Sequence, residues 1–327
     1  MIWMRYLTVT NNDKSFNREK NFASAVLYVH NSQQWIGSFL KTVISVMEDN
    51  FEYSEIICVN DHSDDGSVGE IKKCAETAEK TSITVVNLSY FHGLEAAMNA
   101  GMDLTIGDFV FEFDRTVPDF SEDMIMKVYR RCLEGYDIVS ASPDRNDRFT
   151  SRMFYAVFDR FSDVSYDMTT ESFRILSRRV INRIRSMNKS VPYRKAVYAN
   201  CGLKTDNIRY DIVGGSGYRR DRKEAKYRSG LAMDVLILFT DMGYRFGKAM
   251  TLFMMFMSVF MLVYSVVIYL LKHPVAGWTT TILFLSVSFL GLFGILTIII
   301  KYLQLLVNLV FKRKNYSFES IEKLTGH

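Results

Sequence analysis

Two short acidic segments of this sequence carry residue types that could do chemistry. Glu112-Phe113-Asp114 closes an apolar stretch, DFVFEFD, running from Asp108 to Asp114. Alternate residues of a strand share a face, so Glu112 and Asp114 can point the same way. Such a carboxylate pair, completed by water and phosphate oxygens, suits Mg2+ or Mn2+. For the tripeptide alone, two solvated acids at a strand end are the plainer reading. The second segment is VNDHSDDGS, residues 59–67. Here Asp61 could accept hydrogen bonds from a base or ribose, while Ser63, Asp65 and Gly66 shape the turn into the next helix. An ordinary N-cap turn fits the same letters.

The elements that must position these groups follow from periodicity. Strands are expected at Ser24–His30, Glu55–Asn60, Ser82–Leu88 and Asp108–Asp114, and helices at Trp35–Met47, Val68–Ala78 and Glu95–Leu104. Strands alternating with helices imply an α/β fold, a parallel sheet with helices on both faces. Ligands of such sheets bind beyond the carboxyl ends of the strands. His30-Asn31, Asn60 to Gly66 and Glu112 to Asp114 all fall there. Further on, a helix is expected at Glu122–Leu133, a strand at Asp137–Ser142 and a helix at Ser151–Ser162. Ser229–Phe239 reads as a helix lying at an interface.

Averages over the 327 residues, with 48% hydrophobic, 23% charged and net charge +4, resemble those of a soluble protein. A mean hydropathy of +0.01 conceals an uneven distribution. Ala249 to Leu271 is a run of 23 residues without a charge, and Pro274 to Ile300 a run of 27. Each exceeds the roughly 20 residues needed to cross a bilayer. Two transmembrane helices are expected, 249–271 and 274–300, after a domain at 1–220 and a juxtamembrane amphipathic segment at 221–248. A basic tail, 301–327, follows them. Disorder, collagen and a disulfide-stapled module are excluded. Cys58, Cys74, Cys132 and Cys201 are scattered, as expected of reduced, cytosolic thiols. The first residues contain no apolar stretch of signal-peptide length. Basic residues flank the two runs on the outside (Arg245, Lys248, Lys301, Lys312, Arg313, Lys314), with only Lys272 between them. The positive-inside rule then places the domain and both termini in the cytosol. Arg219, Arg220, Arg222 and Lys226 would face anionic headgroups or phosphates. Nothing points to nucleic acid.

Taken together and in order, these segments resemble the family 2 glycosyltransferases of the GT-A fold, and among them the polyprenyl-phosphate glycosyltransferases of the dolichol-phosphate mannose synthase type, membrane-anchored bacterial branch. The likeness covers most of residues 24–248 and extends to the paired spans. It rests on Val29-His30-Asn31-Ser32, Asn60 to Ser67, Phe91-His92-Gly93-Leu94-Glu95-Ala96-Ala97, Gly107-Asp108 and Glu112-Phe113-Asp114. Further along it rests on Ser151-Arg152-Met153-Phe154-Tyr155 and Ser172-Phe173-Arg174-Ile175-Leu176-Ser177-Arg178.

The resemblance implies an inverting transfer of one sugar from a UDP- or GDP-linked donor to polyprenyl phosphate, in the bacterial inner membrane. It implies nucleotide contacts from Asn31, Asp61, Ser63, Asp65 and Gly93, and a metal, Mg2+ or Mn2+, on Glu112 and Asp114. Asp114, Arg152, Arg174 and Arg178 become the catalytic candidates. Arg219, Arg220, Arg222 and Lys226 become candidates for the acceptor phosphate or the membrane surface, since arginine forks bind phosphate in bidentate fashion. The sequence departs from the family pattern at Glu112, at Thr116-Val117 and at Ser172, where an acid is usual. A phosphate acceptor with second pKa near ~6 is already largely dianionic at neutral pH, so it needs no general base. The alternative is a catalytically silent relative serving as a membrane-bound binding or scaffold subunit. Spans containing Ser286, Ser288, Gly291 and Gly294 allow a homo-oligomer.

Overall fold

The structure is a computed structural model that describes residues 18–117, 119–144, 171–186, 194–213, 278–311 and 316–325, with isolated positions between 227 and 260. Eight strands form one sheet: β1 (Ala23–Val29), β2 (Ser54–Asn60), β3 (Ser82–Leu88), β4 (Phe109–Phe113), β5 (Ile138–Pro143), β6 (Phe173–Ser177), β7 (Thr205–Tyr210) and β8 (Phe318–Lys323). Their spatial order is β7-β5-β6-β4-β1-β2-β3-β8. β1 to β4 are mutually parallel, and β5 is parallel to β7. β6 runs antiparallel between β4 and β5, and β8 antiparallel along β3. Among the described residues the continuous helices are α1 (Gln33–Asn50), α2 (Ser67–Ala75), α3 (Leu94–Leu104), α4 (Asp123–Leu133), α5 (Arg178–Ser186), α6 (Arg194–Asn200) and α7 (Trp278–Phe311).

Both faces of the sheet are covered, and the strand period of two decides which residue goes where. On β1, Ala23, Ala25, Leu27 and Val29 enter a core with α1, α2 and α4. Val26 and Tyr28 enter the opposite core, with α3, α5 and α6. The same alternation on β4 sends Phe111 and Phe113 into the first core. Val110 joins the second, and Glu112 shares its side of the strand. On β6 the partition is Phe173 and Ile175 against Leu176, with Arg174 beside Leu176 in the pleat.

Chain order reverses at β1, which has β2 on one side and β4 on the other. The crevice outside the carboxyl ends of β1 and β4 is where an open α/β sheet binds its ligand.

The C-terminal part differs from the expected basic tail. α7 runs past the first charge, Lys301, to Phe311. A single lysine does not end a helix whose following residues, YLQLLVNLVF, keep strong helix formers at helical spacing. Residues 318–323 are then a sheet strand. Counting the described residues alone, no helix is long and apolar enough to cross a membrane. Most of 249–277, and many side chains of α7, lie outside that description.

Candidate active site

Register fixes the centre of the site. β4 and β6 pair antiparallel with Glu112 opposite Arg174, so carboxylate and guanidinium start from neighbouring backbone positions on one face. Arg174 spends its whole fork on acids. Nη1 lies 2.9 Å from Glu112 Oε2, Nη2 2.9 Å from Asp114 Oδ2 and Nε 2.9 Å from Glu171 Oε2. A second arginine closes the other side. From the first turn of α6, Arg194 places Nη2 2.7 Å from Asp114 Oδ1, Nε 3.0 Å from Glu95 Oε2 and Nη1 2.8 Å from Glu112 Oε1. The last contact is an ion pair only, because Nη1 has no aligned hydrogen-bond acceptor. The Tyr198 hydroxyl donates to Glu112 Oε1 at 2.7 Å, and Lys195 Nζ lies 3.6 Å from Glu171.

Four acids (Glu95, Glu112, Asp114, Glu171) thus share three bases (Arg174, Arg194, Lys195) in a largely buried cluster. Unpaired charges at such depth would cost several kcal/mol each. Burial alone would push the Asp114 carboxyl up, but Arg174, Arg194 and Lys195 hold it well below the usual carboxylate range. Burial likewise pushes down on the Arg174 guanidinium, and the surrounding Asp114, Glu171 and Glu112 more than offset it.

This geometry corrects the expectation for Glu112. With no exposed surface and both carboxylate oxygens engaged, it does not fit a metal ligand. Asp114 does, since its side chain keeps 10% exposure at the rim and each oxygen has a lone pair beyond its arginine. Among the described residues no group of three or more His, Cys, Asp or Glu is arranged to hold a metal ion. Among the described residues Asp114 fits as a ligand, and diphosphate and water could complete the set, an arrangement Mg2+ accepts.

A second correction concerns the arginines. Arg174 is 1% exposed and fully committed to carboxylates, so it is not presented to a lipid phosphate. Arg178 is at the other end of the sheet. It donates to the Thr105 carbonyl at 3.2 Å, and through Nε at 2.7 Å and also through Nη2 to the Gly107 carbonyl, ahead of β4. Arg174 is near the start of the five-residue β6 and Arg178 just past its end, so the motif that joins them spans the sheet. Arg152, Arg219, Arg220, Arg222 and Lys226 lie outside the described residues.

Asp61 is also turned inward. It has no exposed surface; Oδ1 accepts the His92 N–H at 2.7 Å, and Oδ2 the Gly93 N–H at 2.8 Å and the Tyr28 hydroxyl at 3.2 Å. Burial raises its pKa, and those hydrogen bonds oppose the rise. It anchors the turn ahead of α3 and is not open to a base. Gly93 sits at φ +85°, and a side chain there would run into the Tyr227 ring. Tyr227 belongs to the segment expected to run along the membrane and stands edge-on to Phe91 at 6.1 Å. Asp65 takes the capping reading: Oδ1 accepts the Ser67 N–H at 3.0 Å and Oδ2 the Gln33 N–H at 2.9 Å, tying α2 to α1.

Asn31 and Ser63 do reach the open rim together. The Asn31 N–H donates to Ser63 Oγ at 3.1 Å, and Asn31 Oδ1 accepts the Asp64 N–H at 2.9 Å. Asn31 and His62 both hold positive φ, 46° and 53°, a conformation that concentrates where structure is held for function. Ser172 is buried, accepting from Arg115 Nη2 at 2.7 Å, with the Tyr210 hydroxyl 2.6 Å away and Asp119 3.0 Å beyond that hydroxyl.

Sequence reasoning missed Arg194 and Tyr198 and did not weigh Glu95. The one signal available was charge balance, since buried acids on β4 require cations from elsewhere in the chain.

A doubly covered, mostly parallel sheet with its acids at the carboxyl edge defines an α/β ligand-binding domain of the GT-A type. Residues 24–185 match the glycosyl transferase family 2 model. An uncharacterized glycosyltransferase of Synechocystis is 29% identical over 194 residues, 58% of this chain and 60% of that protein. The bactoprenol glucosyl transferase of Shigella phage SfX is 29% identical over 195 residues, 57% of this chain and 62% of that protein. The matches thus span about three fifths of these relatives' length. Among solved structures, mannosyl-3-phosphoglycerate synthase from Rubrobacter xylanophilus aligns with TM-score 0.45 at 18% identity, over 66% of this chain and 74% of that one. A mannosyltransferase from Pyrobaculum calidifontis, in complex with GDP-Man and Mn2+, aligns with TM-score 0.43 at 14% identity over 89% and 91%.

Proposed function

We propose that the chain is an inverting glycosyltransferase that moves one sugar from a UDP- or GDP-linked donor to polyprenyl phosphate at the cytosolic membrane face. The observation that carries the reading is Asp114, the one acid of the cluster left at the rim of the β1/β4 crevice, in a family 2 domain related to bactoprenol glucosyl transferases. An oxygen of the acceptor phosphate attacks the anomeric carbon as the bond to the nucleoside diphosphate breaks. The phosphate brings its own negative charge, so a buried serine at 172 is compatible with transfer. Mg2+ or Mn2+ on Asp114 would offset charge developing on the leaving diphosphate. Arg194 and Arg174 hold Asp114 in place and keep it ionised.

Membrane attachment through 249–271 and 274–300 belongs to the same reading. Lipid is a suitable neighbour for Leu285, Phe289, Leu292, Leu296, Ile299 and Leu303, all exposed on α7. Because β8 lies in the same sheet as β1 to β7, the chain that leaves the domain must return to it, which supports an even number of crossings. The positive-inside bias supports a cytosolic domain.

One observation favours a second reading, a relative that binds but does not transfer: both acids of the motif are clamped by arginines. Calorimetric titration of UDP- and GDP-sugars with and without Mn2+, followed by a transfer assay with polyprenyl phosphate, tests the first reading and separates the two. Binding without glycolipid product supports the second.

A further inference from the structure

The turn that carries Gly93 is held from two sides. Inside, Asp61 accepts the N–H groups of His92 and Gly93. Outside, the peptide N–H of Ser317 donates to His92 Nε2 at 3.1 Å. With Nε2 an acceptor, the neutral ring carries its proton on Nδ1, which faces the Tyr90 carbonyl. The Ser89 N–H donates to the Ser317 carbonyl at 3.0 Å. From there the chain continues as β8 along β3, with the Ile83 N–H donating to Thr325 Oγ1 at 2.7 Å and Asn87 Nδ2 to Ser320 Oγ at 2.9 Å. At the other end the Tyr316 hydroxyl meets the Asp103 carboxylate at the end of α3. Residues 316–325 therefore do more than cover an edge strand: they reach the turn that precedes α3, whose first turn supplies Glu95 to Arg194.

We propose that the returning C-terminal strand is a positioning element of the donor site, acting through the Ser317–His92 hydrogen bond to hold the Phe91–Gly93 turn in its nucleotide-receiving conformation. The proposal rests on the reading that this turn lines the nucleotide site. A peptide N–H on a fixed strand defines both the place and the tautomer of the imidazole. The backbone N–H groups of residues 92 and 93 then stay on Asp61. Ser317→Pro loosens that restraint without removing a buried side chain, so donor affinity should fall while the fold persists.

The full chain, purified in detergent, is titrated calorimetrically with UDP and with GDP, and its melting temperature is recorded in parallel. His92→Ala and Ser317→Pro, which remove the acceptor and the donor, should each weaken nucleotide binding about tenfold, the scale of one hydrogen bond. In a transfer assay they should raise KM for the donor with kcat little changed. His92→Gln, whose amide oxygen can take the place of Nε2, should recover most of the affinity. Unchanged affinity in His92→Ala and Ser317→Pro while the wild type binds nucleotide overturns the proposal alone. A His92→Gln chain as weak as His92→Ala also overturns it, because the hydrogen bond is then not what matters. A wild-type chain that binds neither UDP nor GDP overturns the functional reading, and this inference with it.

Discussion

Arg194 Nη2 and Asp114 Oδ1 lie 2.7 Å apart across 80 residues of sequence. The same guanidinium reaches Glu95 from the first turn of α3, so one side chain joins the end of β4 to the start of a helix on the domain's second core. Removing one partner of a buried, hydrogen-bonded ion cluster exposes the remaining charges to an environment that cannot solvate them. Arg194→Ala should therefore lower stability by about 3 to 5 kcal/mol, read as a shift of the urea midpoint. Arg194→Lys should recover only part, because an ammonium cannot bridge three carboxylates as a planar fork does. An unchanged midpoint for the alanine variant would contradict the clamp.

The Asp114 clamp also has a pH signature. Its folded-state pKa lies below the ordinary carboxylate value, so its stabilisation is fully present above about pH 3.9 and is lost as pH falls toward the lower folded value. The stability difference between wild type and Asp114→Asn should be flat from pH 5 to 8 and shrink below about pH 4. A difference that grows on acidification would show that the carboxylate is not held ionised. Circular-dichroism melts across that range make the comparison.

Arg178 and the site are at opposite ends of β6, which predicts a clean separation of effects. Arg178→Met removes donors to two backbone carbonyls at the base of β4 and should cost about 1 to 3 kcal/mol of stability. Donor and acceptor KM should stay within a few-fold of wild type in the folded fraction. A selective rise in KM for polyprenyl phosphate would place Arg178 at the acceptor after all.

All four cysteines are buried, and burial pushes the thiols of Cys58 and Cys132 up to about 12. Only the thiolate reacts readily. The native chain should therefore release no colour from a thiol-exchange reagent at pH 8 over minutes, and four equivalents in denaturant. Rapid labelling of the native protein would show that the cores of this domain open.

The regular half of the sheet was legible because its signal is local. β1 to β4 with α1 to α4 follow from apolar periods of two and of about 3.6, and the observed ends shift by only a few residues. β7 (TDNIRY) and β8 (FESIEK) carry no apolar alternation, because one lies at each edge of the sheet, where Tyr210 alone of β7 and no residue of β8 is buried. α5 (RRVINRIRS) is buried only at Val180 and Ile181, too few to stand out. At the site, a metal-ligating acid and an arginine-clamped acid look alike in the sequence around Glu112. What distinguishes them is the strand paired with β4 and a helix 80 residues further on. Asp61 was placed at the correct strand end, but whether its carboxylate faces outward or inward depends on the 92–93 turn it binds, 31 and 32 residues away.

The central claim is sugar transfer to polyprenyl phosphate, and product analysis tests it most directly. The purified full chain is incubated with polyprenyl phosphate, Mn2+ and either UDP-glucose or GDP-mannose, and the lipid fraction is read by mass spectrometry. The account predicts a polyprenyl-phosphate hexose from one of these donors, with an equal amount of nucleoside diphosphate, and its loss in Asp114→Ala. Tight binding of a nucleotide sugar with no hexose on the lipid would contradict it and identify the chain as a binding subunit.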